Sequence, residues 1–205
     1  MIPFPRLYAI ADSAFGDPVR LAESLFRGGA RLVQVRNKKA GAGELLQQVE
    51  RIFAFAPDDA TVIVNDRVDV AAIAGTGVHL GQEDLPPAEA RHILQSGRIV
   101  GFSTHNLEQA LAADALPVDY IAVGPIFPTM TKDPADPVVG LERLADICKR
   151  VRKPVVAIGG IKLENAREVL NAGAASVAVI RDLLESPNVV FRVQNWTDRL
   201  KEDAS

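Results

Sequence analysis

The chain has a single cysteine, Cys148, among its 205 residues. A disulfide framework and a cysteine metal cluster are therefore excluded. Cys148 lies in a helix-like stretch and reads as a small buried hydrophobe rather than a nucleophile. Neither sign of charge dominates: 23 basic and 26 acidic residues leave a net charge of -3. No basic run occurs, so nucleic acid is not an expected partner. No apolar stretch approaches the ~18 residues that span a bilayer. The opening Met1-Ile2-Pro3-Phe4-Pro5 lacks the basic region and apolar core of a signal peptide. A soluble cytoplasmic protein that does not engage membranes is expected. Nothing in the sequence points to a particular oligomeric state.

The residues present are 48% hydrophobic, enough for one substantial core. Short apolar runs recur at Leu7–Ala11, Leu32–Val35, Thr61–Val64, Val78–Leu80, Ile99–Phe102, Tyr120–Val123, Val155–Ile158 and Val177–Ile180. They are mostly apolar on both faces, as suits parallel strands covered on both sides. Segments of helical length separate them. Val19–Gly28 places Leu21, Leu25 and Phe26 on one face, and Leu107–Ala115 does the same with Leu107, Ala110 and Leu111. Glycines close several of these segments, as at Gly28-Gly29 and Gly173. Eight strands alternating with helices imply a single-domain (β/α)8 TIM barrel over residues 1–205, parallel, with short loops. An open doubly wound sheet is the alternative, and it usually has fewer strands at this length. The chain is short against the ~250 residues typical of the barrel. Large insertions are therefore not expected.

Chemically capable residues follow the apolar runs rather than precede them, and in this architecture the site is built at the C-terminal strand ends. Gln34, Arg36 and Lys38 alternate along an extended segment and share a face. Facing the barrel mouth, they would converge on an anion; otherwise they form a surface charge run. Asp66 and Asp84 follow consecutive strands and could hold one hard cation such as Mg2+. Asp after a strand also commonly caps the next helix. The neighbouring cationic residues favour a Mg2+–diphosphate site. Gly159-Gly160, between a strand and a helix, permits close backbone approach to a phosphate, or makes a plain turn. The longest connection, Gly124–Val139, carries Pro125, Pro128, Pro134 and Pro137 together with Thr129, Thr131 and Lys132. It suggests a substrate-closing lid or a proline-stiffened excursion. His79 lies within a strand, His92 within a helix, and neither has metal-ligand spacing to the other. His105 adjoins the mouth but could equally cap the following helix.

In order and spacing, several stretches resemble the thiamine phosphate synthase family over nearly the whole chain. They are Leu7-Tyr8-Ala9-Ile10, Gln34-Val35-Arg36-Asn37-Lys38, Val64-Asn65-Asp66-Arg67 and Gly77-Val78-His79-Leu80-Gly81-Gln82-Glu83-Asp84-Leu85-Pro86. Ser103-Thr104-His105, Gly124-Pro125-Ile126-Phe127-Pro128-Thr129-Met130-Thr131-Lys132 and Ala157-Ile158-Gly159-Gly160-Ile161 continue the series. The resemblance implies a transferase that condenses an aminopyrimidine diphosphate with a thiazole phosphate. On that basis Gln34, Arg36, Lys38, Asn65, Ser103 and Lys132 hold the pyrimidine diphosphate, in segments that include Val35 and Asn37. Asp66 and Asp84 hold Mg2+. Thr129, Met130, Thr131, Gly160, Ile180 and Arg181 line the thiazole phosphate pocket. Arg36, Lys38, Lys132 and Ser103 carry the catalysis. Two positions depart from the family pattern. Asn37 stands where an acidic residue is usual and, by alternation, faces away from the site. Arg181 stands where a small hydroxyl residue is usual. The competing readings are a thiazole tautomerase and a non-catalytic phosphate-ligand binding protein.

Overall fold

The computed structural model describes residues 4–94, 96–129 and 137–202. Eight parallel strands close into a barrel in sequential order. They are β1 (Leu7–Asp12), β2 (Leu32–Arg36), β3 (Thr61–Asn65), β4 (Gly77–Leu80), β5 (Val100–Thr104), β6 (Tyr120–Val123), β7 (Val155–Ile158) and β8 (Ser176–Val179). The helices are α1 (Pro18–Arg27), α2 (Ala42–Phe53), α3 (Val68–Ala74), α4 (Pro87–Ile93), α5 (Leu107–Asp114), α6 (Gly140–Arg150), α7 (Ala166–Asn171), α8 (Arg181–Leu184) and α9 (Val189–Glu202). No helix among the described residues is long and apolar enough to cross a membrane.

Alternation along each strand divides the core in two. Outward residues such as Val33, Val35, Val62, Val64, Val78 and Val100 pack beneath the helices. Inward residues Tyr8, Ile10, Leu32, Ile63, Tyr120, Ala122, Val156 and Ala178 fill the barrel itself. Gly101 is an inward position that must stay empty: a Cβ there would lie 2.0 Å from Tyr120 Cζ. That gap lets Tyr120 lie across the barrel, beneath the mouth.

Four strands run past their apolar stretches by polar residues, ending on Asp12, Arg36, Asn65 and Ser103-Thr104. Arg36, Asn65, Ser103 and Thr104 border the open mouth, while the buried Asp12 is compensated by its pairing with Arg36. One helix face differs from the periodic reading. In α5 the buried residues are Ala110 and Ala113, while Leu111 is 42% exposed. The two alanines let α5 pack closely on the strands, and this turns Leu111 outward.

Candidate active site at the barrel mouth

A cavity of about 1630 Å3 opens at the C-terminal ends of the strands. Among the expected residues, Gln34, Arg36, Lys38, Asn65, Asp66, Asp84, Ser103, Thr129, Gly160, Ile180 and Arg181 line it. Val35 and Asn37 do not present side chains to it. Val35 is buried among the outer core residues. Asn37 turns toward α2, donating from Nδ2 to Gln48 Oε1 at 3.2 Å, while its Oδ1 accepts the backbone N–H groups of Lys39 and Ala40. Period-2 geometry puts both on the wrong side of the strand. Met130, Thr131 and Lys132, and with them the proposed lid, lie outside the described residues.

The cations are held by carboxylates at the strand ends. Arg36 pairs through Nη1 with Asp12 Oδ2 at 2.5 Å, and Lys38 Nζ lies 3.5 Å from Asp66 Oδ2. Asp66 has φ 63, a left-handed conformation that Asp tolerates better than most residues. Its N–H donates to His79 O at 2.8 Å. Neither acidic residue caps a helix: α3 and α4 have Arg67 and Pro86 at their N-caps, without side-chain caps. Asp84 Oδ2 instead accepts the Gly81 N–H at 2.7 Å. Burial raises the Asp66 pKa; the charge of adjacent Asp84 and a hydrogen bond to it push the same way, against the pull of Lys38 and Arg36.

This donor set fits a magnesium ion. Two touching carboxylates repel, and a divalent cation between them would relieve that repulsion. No group of three or more His, Cys, Asp or Glu side chains surrounds a point among the described residues. Mg2+ commonly takes one or two carboxylates and completes its shell with water and substrate phosphates.

Gly159 and Gly160 have φ 97 and 66. A Cβ on Gly159 would lie 2.6 Å from Pro125 Cα, and one on Gly160 2.7 Å from Pro128 O. These glycines let the segment after β6 cross the end of β7, where Ile126 and Phe127 donate to the carbonyls of Ile158 and Gly159 at 2.9 and 3.0 Å. The helix expected directly after them starts only at Ala166. Arg181 opens α8, pairs through Nη1 with Glu185 Oε1 at 2.5 Å, and sits 5.5 Å from the Phe15 ring centroid.

The polar floor of the cavity was missed from the sequence. Gln34 Nε2 donates to Tyr8 Oη at 2.9 Å, and Tyr8 Oη meets Tyr120 Oη at 3.0 Å. Tyr120 Oη meets His79 Nδ1 at 2.8 Å, and His79 Nε2 meets Ser103 Oγ at 2.8 Å. Burial pushes the His79 pKa down to about 4. Burial likewise raises both tyrosine hydroxyls. Tyr8, His79 and Tyr120 occupy inward positions, which strand alternation marks, but alternation does not show that they meet one another. His105 donates through Nδ1 to Gly124 O at 2.8 Å, and the N-cap of α5 is Asn106 rather than His105. Cys148 is half-buried, with its thiol pushed up to about 11 by burial.

A closed (β/α)8 barrel with cations and paired carboxylates around the cavity at the C-terminal ends of its strands has the build of a barrel enzyme. Residues 7–183 match the model of the thiamine monophosphate synthase family, and the chain belongs to that family. It is a transferase. A thiamine-phosphate synthase of Koribacter versatilis is 48% identical over 194 residues, covering 91% of this chain and 92% of the relative. That of Shouchella clausii is 43% identical over 195 residues, covering 92% of each. The solved thiamine phosphate pyrophosphorylase from Pyrococcus furiosus superposes with a TM-score of 0.85 at 36% identity, covering 98% of this chain and 97% of that one.

Proposed function

We propose that this single-domain barrel joins 4-amino-2-methyl-5-(diphosphooxymethyl)pyrimidine to a thiazole phosphate, giving thiamine phosphate and diphosphate in the cytoplasm. The observation that carries the reading is the Asp66–Asp84 pair beside Arg36 and Lys38 in one cavity. A tautomerase or a passive phosphate binder has no need of a carboxylate pair for a diphosphate-bound metal. The membership of the chain in its family supports the same choice.

In this reading the pyrimidine-methylene C–O bond breaks first, and its electron pair leaves with the diphosphate. The thiazole nitrogen then donates its own pair to form the new C–N bond. No nucleophile or general base is required. Catalysis consists in stabilising charge on the departing oxygens. Arg36, fixed by Asp12, and Lys38 face that charge, and Lys132 is assigned the same role by its place in the family motif. Ser103, Gln34 and Asn65 orient the ring. Asp66 and Asp84 would hold Mg2+, which when bound supplies positive charge to the diphosphate. Thr129, Gly160, Ile180 and Arg181, with Met130 and Thr131, would form the thiazole phosphate side. The test is diphosphate release from the two substrates together, measured with Mg2+ and with excess chelator. Release only with both substrates and the metal is the expected result. Undiminished release in chelator would overturn the metal-assisted reading.

A further inference from the structure

The cavity floor is a continuous hydrogen-bonded chain from Gln34 through Tyr8, Tyr120 and His79 to Ser103. Gln34 and Ser103, at its two ends, are the members assigned above to orient the ring; Tyr8 and His79 also border the cavity, and Tyr120 lies beneath them. The three middle residues have no part in the chemistry described above. We propose that Tyr8, Tyr120 and His79 fix the hydrogen-bonding face that Gln34 and Ser103 turn to the substrate, and so select an amino-substituted pyrimidine over its oxo counterpart. The inference rests on the pyrimidine diphosphate reading of the site.

The argument is one of proton counting. A tyrosine hydroxyl has one proton to give, and a neutral imidazole carries one on either nitrogen. Gln34 Nε2 gives a proton to Tyr8, so the Tyr8 proton goes to Tyr120 and the Tyr120 proton to His79 Nδ1. The imidazole proton then sits on Nε2 and is donated to Ser103 Oγ. The Ser103 hydroxyl is left to donate into the cavity, and Gln34 is left with its Oε1 as an acceptor. Turning the Gln34 amide over would reverse every bond and invert both ends together. The Gln34 amide and the Ser103 hydroxyl proton are therefore oriented together.

Chemistry favours the first sense. A phenol is a better donor and a poorer acceptor than an aliphatic hydroxyl. Tyr120 should therefore give its proton to the imidazole, and Ser103 should receive one from it. In that sense the floor offers an acceptor at Gln34 and a donor at Ser103. An aminopyrimidine supplies the complement, an exocyclic N–H and a ring-nitrogen lone pair. An oxo ring in the same place presents a carbonyl to Gln34 Oε1 and a ring N–H to the Ser103 hydroxyl proton, a mismatch with both unless the whole chain reverses. Sites that leave buried polar groups unpaired against the wrong analogue discriminate strongly.

The test compares kcat/KM for the amino and oxo pyrimidine diphosphates in the wild type, Tyr120→Phe and Tyr8→Phe, with thiazole phosphate saturating. The wild type should prefer the amino substrate by about a hundredfold or more. Tyr120→Phe releases the His79 tautomer, so this ratio should fall at least tenfold while the KM for thiazole phosphate stays unchanged. Tyr8→Phe leaves the Tyr120–His79 bond in place, so its ratio should fall less. Were Tyr120→Phe recovered unfolded, His79→Asn, whose amide reaches Tyr120 but stops short of Ser103, must show the same narrowing. A wild type that turns over both rings equally, or a Tyr120→Phe variant with undiminished selectivity, would overturn the chain's role alone. Absence of any turnover in the wild type would overturn the functional reading and the selectivity with it.

Discussion

Asp12, sealed at the end of β1, is divided between two tasks: Oδ2 holds Arg36 Nη1 at 2.5 Å, and Oδ1 accepts the Ala14 N–H at 2.9 Å. The two residues are register partners across β1 and β2. One carboxylate thus ties the turn after β1 to the cation that faces the cavity. Asp12 does not line the cavity itself and acts through Arg36.

Asp12→Asn should keep the turn, because Asn accepts the same backbone N–H. It removes the charge that holds the guanidinium. Losing a charge-assisted hydrogen bond costs about 1.5–3 kcal/mol. A roughly three- to twelvefold fall in kcat/KM for the pyrimidine diphosphate is expected if half of that reaches the transition state. Steady-state kinetics and far-UV circular dichroism together check it. Wild-type kinetics in a folded variant would show that Arg36 keeps its place without Asp12.

Asp66→Asn should lower kcat about tenfold or more and yet stabilise the metal-free protein. The environment of Asp66 raises its pKa, so the folded state prefers the neutral side chain. An asparagine is neutral at every pH, and it tolerates the left-handed backbone at this position. In excess chelator the thermal midpoint should rise above that of the wild type. On adding Mg2+ the wild type should gain stability by mass action while the variant gains little. A variant less stable than the wild type in chelator would mean that the contact with Lys38 outweighs burial and repulsion by Asp84.

His79 should make the fold sensitive to mild acid. Its pKa falls from 6.5 to about 4 on folding, chiefly through burial. Between these values the unfolded chain binds a proton that the folded chain refuses, so stability is full above pH 6.5 and declines as the pH falls toward 4. The shift corresponds to about 3 kcal/mol at pH 4 and below. Asp66, with its raised pKa, works in the opposite direction as it protonates. Comparing the wild type with His79→Gln separates the two. Urea unfolding at pH 7.5 and pH 4.5 should show a larger loss in the wild type, and equal losses would place the acid sensitivity elsewhere.

The sequence reveals most of the barrel because its strands are buried on both faces, and runs such as Val62-Ile63-Val64 stand out whatever their partners. It reveals the rim equally well, since charged residues directly after such runs have few other places to be. It does not reveal the floor. His79 sits inside an apolar run and carries no ligand spacing, so its contacts to Tyr120 and Ser103, 41 and 24 residues away, have no local signature. Asp12 is hidden in the same way, because only barrel closure brings β1 beside β2 with Asp12 opposite Arg36. The outward turn of Leu111 depends on how closely α5 approaches the strands, and periodicity alone does not carry that distance.

Arg181 tests whether a residue that departs from the family pattern has acquired a catalytic role. Its guanidinium is shared between Glu185 Oε1 at 2.5 Å and the Phe15 ring, and it lines the cavity next to Ile180. Much of its charge is therefore answered by Glu185 before any phosphate arrives. A remote phosphate is held equally in ground and transition states, so contacts to it appear as uniform binding. Arg181→Ser should accordingly stay active, with a modest rise in KM for thiazole phosphate, roughly two- to fivefold, and little change in kcat; that range corresponds to below about 1 kcal/mol, as for a partly exposed ion pair. Glu185→Gln should move KM the other way, because it leaves the guanidinium unanswered and free for the phosphate. Opposite shifts in KM at constant kcat would assign Arg181 to substrate phosphate binding. A collapse of kcat in Arg181→Ser would instead place the arginine among the groups that act on the reacting atoms.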